Sequence, residues 1–300
     1  MNSSFQQHAR AVDHLVLPVE GLERSRQRHS ALGFSVAASA RHPFGTENAC
    51  VFLADGTYLE PLAVGHRETC EAVALKGNVF VARDQAYRFR RGQNGFSAIA
   101  FGTADAAGDH KRFTKLGHSA GKLLKFGRIF EDAAGNRDKG EFRLAFAADL
   151  RAPDCFLFTC ERLNVPKTDR SALEKHLNTV SGISEIAFCE TNPTDFQYFL
   201  QEVVGQREVN AHSFGMEMRA ANANLAVYSP DGMKAWFGSG SNCGHARGLR
   251  LKAVVFKAAR LDAVRKQLQH SAIDWREHAG RVVIDPAPGQ GAIYAFEEVK

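Results

Sequence analysis

The feature that most constrains this chain of 300 residues is an internal repeat. A short apolar segment followed by an amphipathic segment occurs four times, and such self-similarity restricts the folds open to a sequence. The apolar segments begin near Ala11, Phe96, Ile183 and Leu251. Each is predicted to be a strand that leads into a helix.

The predicted helices have recognisable ends. Gly33 and Gly117 follow the first two, and glycine readily takes the left-handed conformation that ends a helix. The third follows Asn192 and Pro193, a residue suited to a first helical turn, and ends near Gly205. The four helices are expected at 22–32, 105–116, 193–205 and 261–270.

Strand-like runs with turn residues between them follow each helix. One such βαβββ unit cannot cover both faces of its own sheet, so the units should pair. The sequence therefore predicts an α+β fold of four βαβββ units in two domains, 8–163 and 179–300, joined by a polar connecting stretch. The runs are 34–40, 49–54 and 57–64, then 122–130, 141–147 and 155–161, then 207–219, 224–229 and 234–237, and finally 273–284 and 292–299.

Composition excludes several classes of partner. There are 38 basic and 33 acidic residues, and a net charge of +5 over this length is too small to indicate nucleic acid. No stretch approaches the roughly 18 apolar residues of a membrane span, and the N-terminus lacks an apolar core, so no membrane partner and a cytoplasmic location are predicted. The predicted partners are a small-molecule ligand and, at most, a second copy of the chain as a homodimer.

Several motifs resemble the glyoxalase-like branch of the vicinal oxygen chelate superfamily. They are the strand 12–17, the helix end at 31–34, the segment 42–48 and the strand 55–60, with looser similarity at 156–161, 182–183 and 283–286. The resemblance covers nearly the whole chain. It implies paired βαβββ units that form a cupped sheet around a divalent metal.

The resemblance also implies the metal ligands. His14 matches the ligand on the first strand of the first unit, and Glu60 matches the ligand on its last strand. An imidazole and a carboxylate suit Zn²⁺, Fe²⁺, Mn²⁺ or Ni²⁺ equally, so the metal's identity stays open. The alternative for His14 is a strand histidine bonded to a backbone carbonyl, whereas an unpaired carboxylate such as Glu60 is costly to bury.

The second unit departs from the family pattern. Ala98 stands where a first-strand ligand would be, and Glu161 is at or next to the last-strand position. Glu161 is the candidate third ligand and the candidate catalytic base; its alternative is a solvent-facing residue paired with Arg162. Arg162 is predicted to bind an anionic group of the substrate.

The remaining candidates line or surround the predicted cup. His42, Asn48 and Tyr58 are candidate substrate-binding residues, although His42 and Asn48 equally suit a tight turn. Glu185 and Lys252 stand near the first-strand positions of units three and four, where an ion pair between them is an alternative. The second domain is therefore interpreted as degenerate, and the basic run 88–91 as a solvated connector.

Two functions follow from the resemblance. The first is a metal-dependent glyoxalase-like enzyme, of lyase or isomerase type, that binds vicinal oxygens of a small anionic substrate while a carboxylate moves a proton. The second is a non-catalytic protein that sequesters a small molecule, as bleomycin-resistance relatives do, which the loss of ligands favours. An extradiol-type dioxygenase fits less well, because it requires a second histidine at a first-strand position.

Overall fold

The computed structural model describes residues 9–131, 135–238 and 247–299, which form two mixed β-sheets with helices between them. The α+β fold with paired units is thereby confirmed. The first sheet has nine strands in the order β2-β3-β5-β1-β6-β9-β8-β7, with β4 paired to β5. Its elements are β1 (Val12–Pro18), α1 (Leu22–Ala31), β2 (Ala40–Arg41), β3 (Thr46–Asn48), β4 (Val51–Phe52), β5 (Tyr58–Val64), α2 (Arg67–Leu75), α3 (Val79–Arg91), β6 (Ala98–Gly102), α4 (Ala106–Lys115), β7 (Leu124–Glu131), β8 (Arg137–Ala147) and β9 (Phe156–Asn164).

The second sheet repeats this plan with eight strands in the order β11-β12-β13-β10-β14-β17-β16-β15. In both sheets two antiparallel central strands are flanked by parallel partners, β1 and β6 in the first and β10 and β14 in the second. The elements are β10 (Val180–Cys189), a 3₁₀ turn (Pro193–Phe196), α5 (Gln197–Val204), β11 (Asn210–His212), β12 (Gly215–Arg219), β13 (Asn224–Tyr228), α6 (Pro230–Phe237), β14 (Arg250–Ala258), α7 (Leu261–His270), β15 (Arg276–His278), β16 (Arg281–Ile284) and β17 (Ile293–Glu298).

Three local predictions were wrong. The run 234–237 lies in helix α6, because Ser229 caps its N-terminus and Pro230 occupies its first turn. The run 88–91 lies between β5 and β6, but it is the end of helix α3 and its Arg88 is buried, so the prediction of a solvated connector was wrong. Within 34–40 only Ala40 is in a strand.

Among the described residues no helix is long and apolar enough to cross a membrane.

One face of each sheet contributes to a single core shared by both halves of the chain. Leu15 and Leu17 of β1 lie in this core together with Val254 and Phe256 of β14. Because successive strand residues point to opposite faces, Val16 of β1 lies on the other face, in a separate cluster. Each sheet thus has a second face that is independent of the shared core.

His29 of α1 connects the two halves inside this core. It is fully buried, its Nδ1–H donates to the Ser25 carbonyl at 2.9 Å, and its Nε2 accepts from the Tyr294 hydroxyl at 2.9 Å. Burial lowers the pKa of His29 from 6.5 to about 4. The imidazole is therefore neutral in the folded protein over the physiological range.

This burial predicts a loss of stability in mild acid. The unfolded chain binds a proton at His29 below about pH 6.5, whereas the folded chain does so only near pH 4, so folding stability falls as the pH drops between these values. The pKa difference corresponds to about 3 kcal/mol. Urea unfolding across this pH range should show the loss, and His29→Gln should remove that part of the slope. His270→Gln, at an exposed helix end, should keep it; equal slopes in all three proteins would contradict the prediction.

Candidate functional site

The candidate site is a cavity on this second face of the first sheet, hereafter the N-terminal cup. His14, His42, Tyr58, Glu60 and Arg128 line a small cavity of about 30 Å³. Aromatic and other apolar side chains close it on the remaining sides, so its polar groups are held away from bulk water. These are Phe44, Phe80, Phe126, Phe142, Leu144, Phe158 and Cys160.

Strand pairing brings His14 and Glu60 together. In the parallel pair β1 and β5, His14 is opposite Tyr58 and Val16 is opposite Glu60, so the two candidate ligands are diagonal neighbours on one face. His14 Nε2 is 3.5 Å from Glu60 Oε2, and both residues are 5% exposed. The sequence-based prediction that these two side chains share a site agrees with this placement.

Asp13 orients His14. The pairing of β1 with β6 is irregular between Val12 and His14, and the Asp13 carboxylate lies beside the His14 ring, with Oδ1 at 2.6 Å from Nδ1. Burial alone would raise the pKa of Asp13, but the hydrogen bond from His14 and the charge of Arg162 lower it on balance. The ionised carboxylate can only accept, so Nδ1 carries a proton and Nε2 is the nitrogen that faces Glu60.

A chain of hydrogen bonds orients Glu60. The Asn48 amide donates to Glu60 Oε1 at 2.6 Å, and the Arg128 guanidinium donates to Asn48 Oδ1 at 3.0 Å. The same carboxylate oxygen lies 3.5 Å from His42 Nε2. Glu60 therefore has one oxygen held by Asn48 and the other facing His14.

His42 is a neutral imidazole in the cup wall. Burial, followed by the charges of Arg128 and His14, keeps the pKa of His42 well below its usual 6.5. Its Nδ1 is 2.9 Å from the Thr46 hydroxyl, and its backbone N–H donates to the Thr46 carbonyl. His42 therefore shapes a turn and also lines the cavity, and its role in substrate binding stays a prediction.

Tyr58 packs against the metal-ligand candidate. Its ring stacks on His14 with centroids 4.5 Å apart and planes at 16°. Burial, together with the charges of Asp13 and Glu60, raises its pKa well above 10, so the phenol stays protonated. The stacking restricts the rotation of the His14 ring.

Glu161 does not join this group. Phe158 and Cys160 of β9 face the cavity, so strand alternation turns Glu161 to the opposite face. There its carboxylate accepts from the Ala106 backbone N–H at 3.1 Å, at the start of α4, and lies 3.5 Å from an Arg143 nitrogen. The placement does not fit a third ligand or a base in the cup.

Arg162, on the same face of β9 as Cys160, reaches the rim of the cup. Its Nη2 donates to Asp13 Oδ2 at 2.8 Å, which links it to His14 through the Asp13 carboxylate. The side chain remains 33% exposed. Of the predicted site residues, Glu161 therefore lies outside the cup. The others surround it: His14, His42, Asn48, Tyr58, Glu60 and Arg162.

Two residues of the site, Arg128 and Asp13, were not predicted from the sequence. Arg128 fell in the predicted strand 122–130 with no role assigned to it, yet it extends from β7 into the cup on the side of Phe126. Its position two residues after Phe126 was the available signal, because residues two apart share a face. Asp13 was missed because strict alternation would turn it away from His14.

The donor chemistry fits a divalent metal at His14 and Glu60. Two ligands each ~2.1 Å from a tetrahedral metal are about 3.4 Å apart, close to the observed 3.5 Å. An imidazole held through its other nitrogen by a carboxylate is the usual surrounding of a metal-binding histidine. Within the described ranges, no cluster of three or more His, Cys, Asp or Glu side chains forms a complete metal-binding group.

The corresponding cup of the second sheet is filled differently. Met233 and Phe237 of α6 pack into it, and Glu185 lies 3.4 Å from Arg281. Lys252 lies elsewhere, in a cleft with Arg91 and Arg250, so the suggested Glu185–Lys252 ion pair was wrong. The second cup is therefore packed with side chains, and its carboxylate, Glu185, is ion-paired with Arg281.

Comparison with known proteins identifies the class. A family model described as a glyoxalase-like domain matches residues 12–204, and the chain belongs to this family, within the vicinal oxygen chelate superfamily. The match extends past the predicted first domain into β10 and α5, and the domain bounds stay a prediction. No curated protein sequence matches the chain significantly.

Solved structures share the fold at low sequence identity. A hypothetical protein from Staphylococcus aureus is 14% identical with a TM-score of 0.67, and the alignment covers 96% of this chain and 99% of that one. A mutant of 4-hydroxymandelate synthase from Streptomyces coelicolor is 13% identical, with a TM-score of 0.64 and coverages of 97% and 93%. The Mn(II)-bound glyoxalase from Novosphingobium aromaticivorans is 11% identical, with a TM-score of 0.54 and coverages of 97% and 82%.

Proposed function

We propose that the chain is a divalent-metal-dependent enzyme of glyoxalase type that acts on a small anionic substrate with two vicinal oxygens. The observation that carries this proposal is the 3.5 Å approach of His14 Nε2 to Glu60 Oε2, with Asp13 holding the opposite ring nitrogen. These two side chains would hold the metal. When bound there, a divalent ion supplies Lewis acidity toward a substrate carbonyl.

The chain's own residues would perform the other tasks. Asn48 and Arg128 keep the Glu60 carboxylate in one orientation, and Tyr58 does the same for the His14 ring. The phenylalanine walls exclude water from the reacting oxygens. In place of Glu161, the neutral His42 would accept a proton at Nε2, which faces the cavity beside Glu60.

A groove beside the cup supports an anionic substrate. It has a volume of about 480 Å³, shares Arg128 with the cup and is also lined by Asn48, which donates to Glu60. The Arg170 guanidinium lies 4.5 Å from the ring centre of Phe52, and that of Arg128 lies 4.4 Å from the ring centre of Phe130. Guanidinium groups held against aromatic faces can receive a substrate carboxylate or phosphate.

Two measurements test the proposal. Protein purified without chelator should contain about one divalent metal ion per chain, measured by mass spectrometry. It should then exchange a carbon-bound proton of hydroxypyruvate, an anionic α-hydroxyketone, with deuterated solvent, and His42→Phe should abolish this exchange while retaining the metal. Absence of metal from the purified protein, after an attempt to load it with Mn²⁺, Zn²⁺, Fe²⁺ and Ni²⁺, would contradict the proposal.

The second candidate is a non-catalytic protein that sequesters a small molecule in the cup. Ala98 and the outward-facing Glu161 favour it, because the second unit then supplies no ligand to the site. This candidate predicts ligand binding without proton exchange and without a metal requirement. The location of the protein in the cytoplasm and the assembly of a homodimer stay predictions from the sequence.

Arg162 provides a further test of anion recognition. Its bond to Asp13 uses one terminal nitrogen, and the side chain is accessible at the rim of the cup. Arg162→Met should weaken the binding of hydroxypyruvate by about 1.5–3 kcal/mol in calorimetry, the range for a hydrogen bond to a charged group. The matched control is Arg143→Met on the opposite face, which should bind as the parent does. If Arg162→Met binds hydroxypyruvate with the parent's affinity, Arg162 does not contact the substrate.

A further inference from the structure

A second cavity lies where the two halves of the chain meet, hereafter the junction cleft. The end of α3 and the start of β14 form its sides, and its volume of about 370 Å³ falls within the ~300–1,000 Å³ usual for small-molecule sites. Gly95 and Gly291 form part of its wall, and a Cβ on Gly291 would lie 2.4 Å from the Gly95 nitrogen. Glycine at this point lets the two halves approach closely.

Positive charge predominates in the junction cleft. Arg91, Arg250 and Lys252 line it, and Asp154 is the one carboxylate among the described lining residues. Asp154 Oδ1 is already bonded to Arg90 at 2.6 Å, while its Oδ2 is 3.7 Å from both Arg91 and Arg250. Three cationic side chains therefore line the cleft with one carboxylate, and that carboxylate is also bonded to Arg90.

Two donors in the cleft lack acceptors. Within the part of the chain that the structure describes, the half-buried Lys252 ammonium has no hydrogen-bond acceptor or ion-pair partner. Burial, followed by the charges of Arg91 and Arg250, lowers its pKa to about 8, so it is still charged at neutral pH. The Tyr87 hydroxyl accepts from the Phe96 backbone N–H at 3.1 Å, and its own proton has no acceptor among the described residues.

We propose that the junction cleft binds a small molecule through a dianionic group, either a phosphate or a pair of carboxylates. Such a group would accept hydrogen bonds from Lys252 and Tyr87 and would offset the charges of Arg91 and Arg250. Asp154 would remain ion-paired with Arg90, and this pair carries no net charge. None of these residues belongs to the N-terminal cup, so the tests of this site and of the metal site are independent of each other.

Calorimetric titration with inorganic phosphate and, separately, with succinate tests this site. At least one of the two probes should bind the parent protein, and the one that binds distinguishes phosphate from dicarboxylate ligands. Lys252→Met and Arg91→Met should each weaken that probe by about tenfold or more, because each removes a charge-assisted contact. The control Lys266→Met removes the same charge from an exposed position on α7 and should leave binding unchanged.

The remaining outcomes would overturn the proposal. These are the absence of binding by both probes to the parent, binding by Lys252→Met with the parent's affinity, or an equal loss in Lys266→Met. Thermal unfolding checks that the variants are folded, and Arg91 is accessible enough at the mouth to be replaced without opening the core. Metal content should not change in Lys252→Met; its loss would place the metal in the second half and contradict the metal site proposed for the N-terminal cup.

Discussion

Replacement of His14 by alanine should abolish stoichiometric metal binding while the fold is retained. The variant removes the nitrogen ligand 3.5 Å from Glu60 and leaves a lone carboxylate already held by Asn48. Loss of the residues that merely orient a metal ligand costs ~10–100-fold in affinity, so loss of the ligand itself should cost at least about 100-fold. Metal analysis of the purified variant, with circular dichroism to verify folding, measures this.

Two further variants make the His14 result specific. Asp13→Asn keeps the side-chain shape but weakens the hold on the His14 Nδ1–H, so it should reduce metal affinity by about 10–100-fold without abolishing it. His270→Ala removes an exposed histidine at the end of α7 and should retain full occupancy. Full metal occupancy in His14→Ala would show that the N-terminal cup is not the metal site.

Arg88→Met should destabilise the protein by about 3–5 kcal/mol, the cost of leaving one member of a buried ion pair alone. Arg88 Nε donates to Asp84 Oδ2 at 2.8 Å, and its other nitrogens donate to the Val19 and Leu62 carbonyls at 3.0 and 2.7 Å. The residue is 7% exposed. Its removal leaves the Asp84 carboxylate and the Val19 carbonyl without these donors in the core, while the Leu62 carbonyl keeps its bond from the Val19 N–H.

Urea unfolding of Arg88→Met measures this cost, and the chain contains a matched control. Arg67 and Glu71 of α2 have the same spacing of four residues, with nitrogen and oxygen 3.0 Å apart, but the Arg67 side chain is 85% exposed. Arg67→Met should therefore change stability by less than about 0.5 kcal/mol. Similar losses in the two variants would mean that burial of the Arg88 pair has no energetic consequence.

Local sequence was sufficient for the repeat, most of its elements and one half of the site. A strand with a 2-residue period and a helix ended by glycine are encoded within a few residues of one another, so the four βαβ openings could be predicted. His14 and Glu60 could be paired because both stand at motif positions on strands of the same unit. The fold and the family that were predicted in this way were both confirmed.

Tertiary structure alone decided the rest of the site, because its residues meet through register and packing between distant segments. The face of β9 is set by its pairing with β6 and β8, and that pairing sends Glu161 to α4 and Arg162 to the cup. Arg128 reaches Asn48, 80 residues earlier in the chain, only when the β7–β8 hairpin folds over the cup. The junction cleft exists only because the two sheets pack against one core, a contact that no local pattern encodes.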